Sequence, residues 1–397
     1  MTEPPLPPWL DTPDLLRGGP LFRLLRRFGV DLVEARHVAR RSVLIGVCAW
    51  LPMAVLCLID GTFLPGGVHL PFAYDVAAFV RPLVATPLLL AAEPIVGAAW
   101  RVVIERFASR GIVEPSQLPE LKEAVARALA RRDRWTPEVL CALTAAILTV
   151  AVTHALVIGG SSTWLGTDGP SGFTISAAGL WYATVVVGGG MFLLLRWIWR
   201  IALWHALLFR IARMPLRLHP THPDHACGLE FVMAPLQSYA MLAFAVAVSF
   251  AARFANRLLH DGAHLTEFLA PAGIIVGIVL LLAVLPPALV FSPLLARTKR
   301  DALLTIGAAA AACGDRFLTP PTAAPAAPSD PTAGSASRHP LPELLAAAAE
   351  IRAIRPVPLD VGALGVLVAS IALPGLGLAL LEIPAGEILA RAAKLLF

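Results

Sequence analysis

Ser42-Val43-Leu44-Ile45-Gly46-Val47-Cys48-Ala49-Trp50-Leu51-Pro52-Met53-Ala54-Val55-Leu56-Cys57-Leu58-Ile59 carries no charge, and Arg40-Arg41 and Asp60 bound it. A helix needs about 20 apolar residues to cross a hydrocarbon core of about 30 Å. The stretch therefore reads as a membrane span, 42–60. Five further segments meet the same length criterion: 77–100, 138–158, 179–200, 229–252 and 269–296. A seventh, 361–381, is long enough, but Pro374-Gly375 at its middle leaves a shallow hairpin open beside a single crossing. With 57% hydrophobic residues, 15% charged and a mean hydropathy of +0.73, the chain is too apolar for an ordinary soluble domain. Backbone groups in lipid must satisfy one another, and the alternation of a barrel is absent. The expected fold is all-α, a polytopic transmembrane helical bundle of six to seven spans.

Basic residues decide the orientation. Residues 1–41, 101–137, 196–228 and 297–357 hold 7, 8, 5 and 7 Lys or Arg, 27 of the chain's 32. The gaps 61–76 and 159–178 hold none. The positive-inside rule then places the N-terminus and the 101–137 loop on the cytoplasmic side. The net charge of +5 is a topology signal, and no nucleic-acid partner is expected. No Cys falls in an expected external loop, so no disulfide framework is anticipated. The first apolar run follows some 40 polar or basic residues and is expected to act as an uncleaved anchor.

Four regions follow. Residues 1–41 form a cytoplasmic segment with an interfacial helix, in which Leu21, Leu24, Leu25, Phe28 and Leu32 face the bilayer and Arg23, Arg26 and Arg27 face anionic headgroups. Docking of that helix on the bundle is the alternative. Residues 42–300 form the bundle, with a helical cytoplasmic loop at 101–137 whose stripe is Leu121, Val125, Ala128 and Leu129. Residues 301–357 contain a Pro/Ala-rich linker at 318–340, then a short helix at 341–354. Residues 358–397 are a membrane-associated helix or hairpin. Expected partners are the lipid bilayer, including anionic lipids; a cytoplasmic protein and a second copy of the chain stay open.

Catalytic signatures are absent. None of the three lysines sits in a phosphate-binding loop, no H-E-x-x-H occurs, and no cofactor motif is present. Gly169-Pro170-Ser171-Gly172 matches an intramembrane serine-protease element, but 269–296 lacks the histidine that such a serine requires. His219, His222 and Asp224, near Cys227, form a cluster able to bind zinc. The structural alternative makes Asp224 an N-terminal cap for the fifth span. Within the membrane, Arg81 and Glu93 are separated by about 18 Å of helix. Arg253, Arg257, His260 and His264 recur on one helix face. With Arg81 they form an anion-attracting mouth; the alternative pairs Arg257 with Asp261 and Arg81 with Asp75. Arg196-Trp197-Ile198-Trp199-Arg200 reads as an aromatic anchor with snorkelling arginines.

His222-Pro223-Asp224-His225-Ala226-Cys227-Gly228-Leu229-Glu230-Phe231 resembles the H-P-D-x-x-G-G-L-x-F element of a family of uncharacterised bacterial inner-membrane proteins. Leu88 to Pro94, the basic loop after it, and Arg355-Pro356-Val357-Pro358 are similar as well. Cys227 stands in place of the first glycine. The resemblance implies a membrane fold and no activity. Three functions stay open: a membrane scaffold or signalling component; a transporter or channel for a small anionic solute, using Arg81, Glu93, Arg253 and Arg257; and, more remotely, a metal-dependent membrane enzyme.

Overall fold

The computed structural model describes residues 15–16, 18–20, 23, 35–158, 163–169, 172–318, 340–358 and 360–382. Ten helices carry almost all of it: α1 (Ala35–Ile59), α2 (Val76–Ser109), α3 (Leu118–Arg132), α4 (Trp135–Ile158), α5 (Ala177–Ile211), α6 (Glu230–His260), α7 (Thr266–Ala283), α8 (Leu285–Leu318), α9 (Pro340–Ala353) and α10 (Val361–Glu382). Seven of them (α1, α2, α4, α5, α6, α7 and α10) contain a stretch long and apolar enough to cross a membrane. The fold is an all-α, multi-pass bundle. A small antiparallel hairpin, β1 (Gly166–Gly169) and β2 (Gly172–Ile175), ornaments the loop before α5. The interfacial helix expected from Leu21 to Leu32 and most of the 318–340 linker lie outside the described residues.

One expectation about the later spans changes, and one open alternative is decided. The run 269–296 is not one span: α7 ends at Ala283 and α8 starts at Leu285. Pro286 and Pro287 supply no backbone donors, so the ladder of α7 cannot continue through them, yet both fit the first turn of a new helix. The segment 361–382 is a single helix and not a hairpin. Pro374 forgoes one ladder bond, and Gly375 leaves room for the Phe268 ring, which a Cβ there would meet at 3.2 Å.

Packing divides into a large core towards the end that carries α3, α8 and α9, a smaller one at the opposite end, and a third, smaller still, where Phe254, Phe268 and Leu378 join α6, α7 and α10. We call the end of α3, α8 and α9 the basic end. There, α3 lays Leu121, Ala124, Val125 and Ala128 against α5, as the apolar stripe of 101–137 requires. Residues 341–354 form α9 as expected, and α9 packs on α8. Lys299 ties the two helices by donating to the carbonyls of Arg352 and Ile354 at 2.7 and 2.8 Å. At the opposite end, Phe72, Trp164 and Tyr182 meet edge to face with centroids 5.0 and 5.3 Å apart. The most extensive helix pairing joins α6 to α10, and α2 lies between α1 and α6.

Close approach of α1 to α2 needs Gly46. A Cβ there would run into the carbonyl of Pro82 and the ring of Pro87. Gly189 has nothing within 4 Å of the same hypothetical atom. Gly46→Ala is therefore expected to lower stability by about 1–3 kcal/mol, the usual scale of overpacking. Gly189→Ala, relieved of glycine's helix penalty, should be neutral or slightly stabilising. Thermal denaturation of both variants in detergent checks the contrast.

Candidate functional site

The site is built where α2 and α5 lie side by side. Each helix opens one wide turn, at Arg81–Ala85 in α2 and at Tyr182–Gly188 in α5. Pro82 and Pro87 remove ladder donors in α2, and the Arg81 carbonyl accepts from both the Thr86 N–H and the Thr86 hydroxyl, the latter at 3.0 Å. The two wide turns meet through Arg81, whose Nη1 donates to the Tyr182 hydroxyl at 2.8 Å. Irregular turns of this kind inside spans recur at functional sites.

Arg81 does not pair with Asp75. Asp75 is buried and caps Ala78 N at 3.0 Å while accepting from Trp164 Nε1 at 2.8 Å and Asn256 Nδ2 at 2.7 Å. The Asn256 Oδ1 in turn accepts from Val76 N at 2.8 Å. Nor does Arg257 pair with Asp261: it meets Glu267 at 3.0 Å, because the chain turns back at Gly262 and brings the start of α7 alongside. Arg253 is exposed and makes no hydrogen bond or ion pair among the described residues.

Two cavities lie here. The first, of about 140 Å³, is walled by His69, Asp75, Arg253, Asn256, Arg257 and His260 among others. The second, of about 280 Å³, reaches Arg81, Thr86, Ser249 and, deepest, Leu89 and Leu194. They share Val152 and Val187 as walls. Arg253 and Arg257 thus sit together at the mouth, and Arg81 one level below it.

Under the second cavity the bundle is sealed by charge. Glu93 lies four residues, about 6 Å of helix, beyond Leu89. Its carboxylate meets Arg196 Nη1 at 2.5 Å and Arg200 Nη1 at 2.9 Å, and all three side chains are buried. Glu138 of α4 adds a second carboxylate 3.5 Å from Arg196 Nε. Arg196 and Arg200 are therefore not snorkelling anchors. They share the buried stripe of α5 with Leu193, Trp197, Ile201 and Trp204, which turns them inward. Trp197 Nε1 donates to the Leu89 carbonyl at 3.1 Å, and Trp100 stacks on Trp204 with centroids 5.0 Å apart.

His219, His222 and Asp224 sit in the loop before α6. His222 Nδ1 lies 2.9 Å from Asp224 Oδ1. Asp224 otherwise works as a cap: Oδ1 accepts from Ala226 N at 2.9 Å and Gly228 N at 3.0 Å, and Oδ2 from Glu230 N at 3.2 Å. Burial alone would raise its pKa, but those N–H groups and the His222 ring hold it below the usual carboxylate range. His219 contributes its backbone N–H to the Cys227 carbonyl at 3.2 Å. Among the described residues, no group of three or more His, Cys, Asp or Glu is placed to hold a metal ion. Burial pushes the Cys227 thiol up to about 11.

No protein-family model matches the chain, nor does any curated protein or any solved structure. The site is read from its own geometry.

Removing Glu93 strands two buried guanidinium groups. Glu93→Ala is expected to cost about 3–5 kcal/mol, the scale for breaking a buried pair, read as a large drop in melting temperature in detergent. Replacing Glu93, Glu138, Arg196 and Arg200 together by Leu should cost less than the single change. In the 219–230 loop, Asp224 stabilises through its lowered folded pKa. That contribution is complete above the unfolded value of about 3.9 and fades as pH falls through the folded one. Asp224→Ala should remove it at neutral pH. Cys227, fully buried in the parent protein, should then react with a maleimide at least about tenfold faster, as ΔΔG near 1.4 kcal/mol implies.

Proposed function

We propose that this protein is a transporter for a small anionic solute in the bacterial inner membrane, with its N-terminus and basic end in the cytoplasm. The orientation is supported by the basic residues of 1–41, 101–137, 196–228 and 297–357. The observation that carries the function is Arg253: a guanidinium with no partner among the described residues, on the wall of a cavity that abuts a second one reaching Arg81. A cationic group beside a low-dielectric cavity concentrates anions and steers them inward. Glu93, between Arg196 and Arg200, closes the cytoplasmic half, so the arrangement has one open side and one shut side. An anion of sufficient affinity that reached Arg196 and Arg200 would compete with Glu93 for them, which gives the closure a physical trigger.

The scaffold reading has one observation in its favour. Glu93, which a wetted pathway would expose, is fully partnered and dry. A scaffold predicts no response to solutes.

The test is thermal denaturation of purified protein against a panel of anions. A ligand at a hundredfold excess over Kd adds about 2.7 kcal/mol of stability. The expected result is a rise in melting temperature with one class of anion, abolished by Arg253→Ala and by Arg81→Ala, and uptake of that anion into proteoliposomes. A flat response across the panel, with no uptake, would refute transport.

A further inference from the structure

The two cavities above have a third neighbour. A groove of about 210 Å³ lies between α5, α6 and α7, and shares Leu194 and Val246 with the cavity that reaches Arg81. Its walls include Ile198, Ile275, Val279 and Leu282. Only Trp197 and Tyr239 among its lining residues carry a side-chain polar atom, and both atoms are engaged elsewhere. Trp197 Nε1 is bound to the Leu89 carbonyl, and the Tyr239 hydroxyl accepts from Trp100 Nε1 at 2.9 Å. Apart from the Tyr239 O–H, the groove presents only apolar side chains to a ligand.

Polarity falls in steps along this line of three. The mouth holds Arg253, Arg257 and His260, with Arg257 already balanced by Glu267 and His260 directed at the Tyr74 carbonyl 3.3 Å away. The carboxylate of Asp75 is spent on Trp164, Asn256 and Ala78, and Asp261 completes the rim. Among the described residues, Arg253 is thus the mouth cation left for a ligand. The middle cavity holds one cation, Arg81, and two hydroxyls, Thr86 and Ser249. The end is dry. From Arg253 to Tyr239, α6 runs fourteen residues, about 21 Å. A site with a charged end and a long apolar remainder suits a ligand built the same way, since only apolar surface gains from entering the groove.

We infer that the solute is a single-chain anionic amphiphile, with its carboxylate or phosphate-type head at Arg253 and its hydrocarbon chain running past Arg81 into the groove between α5, α6 and α7. This deepens the transport reading and rests on its mouth being a ligand entry. One mouth leading to one narrow groove accommodates one chain.

The test uses the full chain in nanodiscs of neutral lipid and a long-chain alkyl carboxylate bearing a terminal diazirine. After illumination, adducts are mapped by peptide mass. The expected adducts fall on groove residues such as Ile275 and Val279, drop at least tenfold in Arg253→Ala, and are competed by the unlabelled carboxylate but not by the alcohol of equal length. Val246→Trp, which fills the junction, should remove the groove adducts while sparing any stabilisation by short anions; Ile278→Trp is a second variant on the outer wall. Equal labelling of lipid-facing residues of α4, such as Leu143 and Ile147, unchanged by Arg253→Ala, would overturn the inference by showing ordinary bilayer solvation. Competition by a two-chain anionic phospholipid but not by the single-chain carboxylate would overturn it too. If short anions stabilise the protein through Arg253 while groove labelling is unspecific, the transport reading survives and the amphiphile fails. If short anions and amphiphiles both leave stability and labelling unchanged by Arg253→Ala, both fail.

Discussion

A carboxylate inside a membrane helix must find a cation or give up its charge, and Glu93 finds two. Insertion scales put a lone charge at the middle of a span at about 2.5–3.5 kcal/mol or more, so the contact with Arg196 and Arg200 offsets a cost carried by α2 and by α5 alike. Glu138 brings α4 into the same cluster, which then balances two carboxylates against two guanidinium groups. Charges with fixed geometry set the rotation of each helix about its axis. Once Arg196 and Arg200 point at α2, Trp197 must lie over Leu89 and Trp204 must meet Trp100. The floor under the cavities is a consequence of this one constraint.

The opposite end is held differently. There Asp75 joins the start of α2 and the last turns of α6 to the hairpin loop through uncharged donors, Trp164 and Asn256. One carboxylate meeting three N–H groups needs no cation, so neither Arg81, which turns to the Tyr182 hydroxyl, nor Arg253 is tied to Asp75. That division is physical. Buried cations paired to carboxylates occupy one half of the bundle, and Arg253 and Arg81, which face no carboxylate at ion-pair distance among the described residues, line the other.

Span positions were legible from hydropathy because length and apolarity are local properties, and Glu93 and Arg253 were legible as charges in unusual places. What failed were statements needing helix rotation or partner choice. Arg196 and Arg200 flank Trp197 and Trp199 in a pattern that an interfacial anchor and a buried stripe share. The separating signal was available: Leu193, Arg196, Trp197, Arg200, Ile201 and Trp204 recur at three and four, which puts the arginines on the apolar face and not opposite it. Asp75 gave no such signal, since its partners Trp164 and Asn256 lie 89 and 181 residues away. The break between α7 and α8 was encoded by Pro286-Pro287, whose meaning depends on whether the next turn continues a helix or starts one.

The loop before α6 shows why a sequence element can look chemical and be architectural. His225, Cys227 and Gly228 all adopt positive φ, at 51°, 56° and 91°. A side chain at such a position costs about 1–2 kcal/mol relative to glycine, so a Gly-Gly pair at 227–228 is the unstrained solution and Cys227 is a strained substitute held by burial. The turn this creates is what lets Asp224 reach three N–H groups at once. It also points the His225 carbonyl at Arg355 N, 2.8 Å away, joining the loop to the segment that leads into α10. Phe231, just beyond, packs edge to face on Phe107 of α2 with centroids 5.0 Å apart. Histidines and an aspartate gathered in nine residues therefore serve to fasten three distant stretches at the basic end, the same end that Glu93 seals. Both devices tie helices together in the same half of the bundle.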